Sequence, residues 1–68
     1  MTPTPLADAL HGRRRELGLR QAEVAELAGV SERFVRELEH GKATARLDKV
    51  EAVLDVLGLA LTVRVRGE

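Results

Sequence analysis

Apolar residues recur along this chain with two different periods, and the change falls at Gly58. Up to that point they step by three and four, as one face of a helix does. Leu6, Leu10 and Leu17 form the first stripe. Thr4 suits the N-cap of that helix, Pro5 its first position, where no N–H is needed, and Gly18 its end. Val24, Ala25 and Ala28 share a face of a second helix, expected over about 21–28. Val35 and Leu38 share a face of a third, expected over about 32–40 and closed by Gly41. After a polar loop from Lys42 to Arg46, Leu47, Val50, Leu54 and Leu57 give a fourth helix that Gly58 ends; Val53 and Val56 widen its stripe enough to bury it on more than one side. Beyond Gly58, Leu59, Leu61, Val63 and Val65 alternate with Ala60, Thr62, Arg64 and Arg66, a strand pattern rich in β-branched residues. No second strand is expected, so its backbone N–H and C=O groups need a partner from elsewhere.

The second and third helices meet at Ala28-Gly29-Val30-Ser31. Gly29 can take a positive φ without a Cβ clash and stop the second helix sharply. Ser31 offers a hydroxyl to the unpaired N–H groups of the third. Ala25 is small enough for two helices to cross steeply. Together these read as a helix-turn-helix; the plainer alternative is an ordinary αα-corner.

Composition changes this picture in few places. The 68 residues make one domain, 44% hydrophobic and 32% charged, which is globular and not disordered. There is no cysteine, no apolar window of membrane-spanning length and no signal-peptide pattern at the start, so a cytoplasmic protein is expected. A formal net charge of zero argues against a nucleic-acid partner until its distribution is considered. Arg13, Arg14, Arg15, Arg20, Arg33, Arg36, Lys42 and Arg46 all fall in the first two-thirds of the chain.

With Val35 and Leu38 turned inward, Arg33, Arg36, Glu37 and His40 occupy the opposite face of the third helix, with Glu32 at its edge. A helix in the major groove reads base edges from its first turns, and the arginine fork matches guanine O6 and N7. Arg33 and Arg36 are therefore candidate base readers. Glu32 or Glu37 can accept from cytosine N4 or hold an arginine in place. The alternative is a solvated surface laced with ion pairs. Gln21, at the start of the second helix, is placed to meet a phosphate, and Ser31 can do so besides capping. Lys42 and Thr44 are candidates for the backbone across the groove, while Phe34 suits packing better than stacking. Enzyme chemistry finds no foothold. His11 and His40 stand apart from any metal-ligand pattern, Ser31 is the single serine, and no phosphate loop or nucleophile–base pair is present. Catalytic residues, metal and cofactor are thus expected to be absent, as is a small-molecule substrate.

The stretch LGLRQAEVAELAGVSERFVRELEHGK, Leu17 to Lys42, resembles the helix-turn-helix of the Xre/Cro family, to which phage repressors belong. The match lies in Gly-x-x-Gln, Val-Ala, Gly-Val-Ser at the turn and Glu-x-Gly at the close. Arg20 stands where the family usually has Ser or Thr, so the second helix lacks a normal N-cap. The resemblance implies that Gln21, Ser31, Glu32, Arg33, Arg36 and Glu37 occupy DNA-contacting positions. It also implies an internal ion pair between Arg14 and Glu39.

Four helices followed by one strand look, more narrowly, like the HipB-type antitoxins, dimeric repressors that bind a HipA-type kinase toxin and silence their own operon. The fold expected is mainly α: a four-helix, lambda-repressor-like domain over 1–58. A C-terminal strand and tail over 59–68 would pair across a homodimer through Leu59, Leu61, Val63 and Val65. Function then follows as repression from a palindromic double-stranded operator. The alternatives are a phage-type repressor with no toxin, or a module that neutralises a partner enzyme with little DNA binding.

Overall fold

The computed structural model describes residues 4–42 and 44–67; residues 1–3, 43 and 68, parts of the two expected segments, lie outside the described residues. The described chain forms four helices: α1 (Pro5–Glu16), α2 (Gln21–Ala28), α3 (Glu32–Glu39) and α4 (Leu47–Val56). The helix ends follow local chemistry. Thr4 Oγ1 accepts the Ala7 N–H at 3.1 Å, with Pro5 in the first helical position. Ser31 Oγ accepts the Phe34 N–H at 3.0 Å and opens α3. Gly29, at φ 72°, closes α2, and the Val30 N–H returns to the Ala25 carbonyl at 3.0 Å. As expected, no side chain at the N-cap accepts from the first-turn N–H groups of α2. Arginine offers no acceptor, but the Glu23 carboxylate takes the Arg20 N–H at 2.8 Å, the reciprocal half of a capping box. That contact, with the Arg20 guanidinium, holds the Glu23 carboxyl below the usual carboxylate range.

α2 packs against both α3 and α4, and α1 against α3. The core between them is Leu10, Val24, Ala25, Val35, Leu38, Val50, Val53, Leu54 and Leu57. Leu6, Ala28, Val56 and Phe34 pack partly buried around it. Phe34 carries Lys49 Nζ 5.9 Å above its ring centroid, a packing role as expected. Two expected members of the stripes are exposed instead, Leu17 and Leu47. Leu17 follows the last turn of α1 and Leu47 opens the first turn of α4, so each extends past its neighbours. A further tie is made by Arg13, whose Nε donates to the Leu57 carbonyl at 2.8 Å, joining α1 to the end of α4.

The expected C-terminal strand is not there. No strand occurs among the described residues, and 59–65 run as irregular chain. The fold is therefore all-α over those residues, without a strand to pair across a homodimer. The physical reason is that alternation records two faces and cannot supply a ladder partner. Leu59 does return to the helices: its N–H bonds the Leu54 carbonyl at 2.9 Å and its side chain packs on the core. Past that point Leu61 and Val65 are exposed and Val63 fully so, at 100%.

Candidate nucleic-acid interface

The outer face of α3 is set by what its inner face buries. Val35 and Leu38 lie in the core, which turns Glu32, Arg33, Arg36 and His40 to solvent. Arg36 makes no ion pair among the described residues. Arg33 does: its Nε stands 3.6 Å from Glu37 Oε1, while Lys42 Nζ stands 3.5 Å from Glu37 Oε2. Glu37 thus sits between two cations in the free chain. Of the expected backbone contacts, Ser31 spans the turn as a cap, Lys42 is half-buried beside Glu37, and Thr44 is exposed and makes no hydrogen bond among the described residues.

Gln21 is half-buried and turned inward, its Nε2 donating to Glu39 Oε1 at 3.3 Å. Glu39 is the hub of the internal pair. Arg14 meets it with both arms of the fork, Nε to Oε2 at 2.7 Å and Nη2 to Oε1 at 3.0 Å, and sends Nη1 to the Leu19 carbonyl at 2.9 Å. The Glu39 side chain is only 4% exposed. Burial alone pushes its carboxyl up, but the hydrogen bonds from Arg14, His11 and Gln21, with the Arg14 charge, outweigh that and hold it below the usual range. The hydrogen bond to Glu39 in turn raises the Arg14 guanidinium against its own partial burial.

Sequence reasoning missed two members of this cluster, Gln21, which it placed only at a phosphate, and His11. His11 Nδ1 lies 2.9 Å from Glu39 Oε1. The signal was available, because His11 is three residues before Arg14 and shares its helix face. Among the described residues no group of three or more His, Cys, Asp or Glu side chains could hold a metal ion, and no helix is long and apolar enough to cross a membrane.

Comparison with known proteins agrees with this geometry. A family model described as helix-turn-helix matches residues 10–63, from the middle of α1 through α4 and into the irregular tail. The chain is also similar to the uncharacterized HTH-type transcriptional regulator y4mF of Sinorhizobium fredii. The two are 42% identical over 67 residues, which covers 98% of this chain and 88% of that protein.

Proposed function

The chain belongs to the helix-turn-helix family, and we propose that it is a DNA-binding transcriptional regulator that represses as a homodimer on a palindromic operator. What carries this reading is the outer face of α3, where Arg36 and Arg33 stand free of the core on a helix short enough to enter the major groove end-on. Arg36 and Arg33 read base edges, Glu32 flanks them, and Glu37 orients Arg33 and Lys42. Gln21, Ser31, Lys42 and Thr44 meet the backbone.

Dimerisation is supported by the tail. Glu51 and Asp55 flank a groove completed by Leu54, Leu59, Ala60 and Leu61. Exposed Val63 and Val65 alternate with Arg64 and Arg66, a chemistry complementary to that groove, and a second copy of the chain covers both. Two α3 helices then lie roughly 34 Å apart, one DNA turn. The narrower role, antitoxin to a HipA-type kinase in a self-silencing operon, rests on Leu47 to Arg66 and on the domain order; of these α4 remains, and no strand follows it among the described residues.

Duplex binding titrated against salt is the test. Several phosphate contacts per subunit make affinity fall by orders of magnitude over a few-fold rise in salt. Weak, unsaturable binding would instead favour a module that works only through a protein partner. Inhibition of a HipA-type kinase by the purified chain separates the antitoxin from a stand-alone repressor.

A further inference from the structure

Between α1 and the ends of α2 and α3, Asp8, His11, Gly12, Gln21, Glu39 and His40 line an open depression of about 490 Å³. The Glu39 carboxylate there is an acceptor shared by three other side chains. Its Oε1 alone receives Arg14 Nη2 at 3.0 Å, His11 Nδ1 at 2.9 Å and Gln21 Nε2 at 3.3 Å. A carboxylate at 2.9 Å requires the His11 proton to sit on Nδ1. The approach of Arg14 Nη2 to the same nitrogen, at 3.3 Å, is therefore a contact between two donors. Nε2 is left as the ring nitrogen without a partner among the described residues, on a side chain 49% exposed. Gln21 uses one amide hydrogen on Glu39, which leaves the other for a second acceptor.

We infer that His11 is a positioning residue for the DNA backbone contact: through Glu39 it fixes the Gln21 amide, and its protonation tightens duplex binding. The inference rests on reading Gln21 as a phosphate contact. Charge gives the direction. Glu39 and Arg14 cancel, so a neutral His11 leaves the hub uncharged, whereas an imidazolium adds one positive charge beside the phosphates. Glu39 stays ionised throughout, since its carboxyl is held below the usual range. The other groups facing His11 are Asp8 and Arg14 on its own helix, Gln21 on α2, and Glu39 and His40 on α3. His40 is a second imidazole on the same depression, tied by its Nδ1 to the Arg36 carbonyl at 2.7 Å, so it needs a separate control.

The experiment measures fluorescence anisotropy of the full chain on a duplex selected from random sequence by the wild type, at fixed ionic strength from about pH 8 to 5, the span over which imidazoles titrate. Wild-type affinity should rise about two- to tenfold as pH falls, the effect of one added charge at close range in a wet interface. His11→Gln keeps a donor for Glu39 but takes no proton. It should flatten the profile while binding more tightly at pH 8 than His11→Ala, and His40→Gln should retain the slope. Chemical melts of each variant separate lost folding from lost binding. A His11→Gln profile as steep as wild type overturns the inference, as does a slope that vanishes in His40→Gln. Saturable binding in no variant at any pH overturns the reading of the DNA contact itself, and this inference with it.

Discussion

Two carboxylates on α3, Glu37 and Glu39, are two residues apart and live in different media. Two helical steps turn them about 200° apart, so one looks outward and the other toward α1 and α2. Glu37 is 32% exposed, with its cations at 3.6 and 3.5 Å. Glu39 is 4% exposed, with a two-armed arginine at 2.7 and 3.0 Å and two further donors. Counting both simply as acidic residues near a DNA face would give a net repulsion that the fold does not present. Burial assigns one carboxylate to holding helices together and leaves the other on the surface proposed to meet DNA.

The largest effect that can break this contrast belongs to Glu39. Glu39→Ala leaves Arg14, itself 14% exposed, without its counter-charge, a loss approaching the roughly 3–5 kcal/mol that removing one partner of a fully buried pair costs. A domain of this size has little more stability than that in total. A urea melt should therefore find the variant largely unfolded. Full stability would show the pair to be solvated and the contrast with Glu37 void.

Acid sharpens the same contrast. The Glu39 carboxyl is held lower in the folded chain than in the unfolded one, whose carboxylate titrates near about 4.3. Its contribution is fully present above that value and is lost as pH falls through the lower folded value. Glu23 and Asp48 are depressed too, by Arg20 and Arg46, but both stand in solvent and add little. Stability should hold to about pH 5 and decline below about pH 4, with Glu39→Gln losing most of that decline. An acid titration followed by circular dichroism would read the difference.

On the outward side, effects move from folding to recognition. Arg36→Ala and Arg33→Ala should each weaken the preferred duplex by about 1–3 kcal/mol and relax the choice at one base pair, with melting unchanged within about 0.5 kcal/mol. Arg36, having no ion-pair partner among the described residues, should show the cleaner loss of specificity. Equal weakening on selected and random duplexes would take α3 out of the groove.

How much of this was legible before the fold was known depended on whether a pattern carries its own partner. The turn did: Gly29 and Ser31 announce a left-handed stop and a hydroxyl cap, and both appear as read. The core stripes did so along the helix interiors and at Leu57, and failed at two ends, where Leu17 and Leu47 are exposed. The tail did not, because alternation from Leu59 to Arg66 states two faces and says nothing of a second strand. Arg14 with Glu39 was reached only through resemblance; 25 residues of separation hide such a pair from local spacing. His11 and the Glu23 cap were missed for a narrower reason. Each lies three residues from the group it serves or joins, and each was read one residue at a time.

The smallest effect tests the contrast most finely. Glu37→Gln removes a charge from an exposed cluster whose pairs are 3.5 and 3.6 Å long, so stability should change by no more than about 1 kcal/mol. Binding should respond in the opposite sense from any loss of a contact. Arg33 and Lys42 are released, and one negative charge leaves the face that meets phosphates, so all duplexes should bind somewhat more tightly, with a steeper dependence on salt. Specificity should fall at the same time, because an arginine no longer held by Glu37 reaches a guanine with less orientation. Anisotropy on selected and random duplexes at two salt concentrations measures all three. If Glu37→Gln weakened the selected duplex alone, by about 1–3 kcal/mol, Glu37 would be accepting from a cytosine and its place between Arg33 and Lys42 would belong only to the free protein.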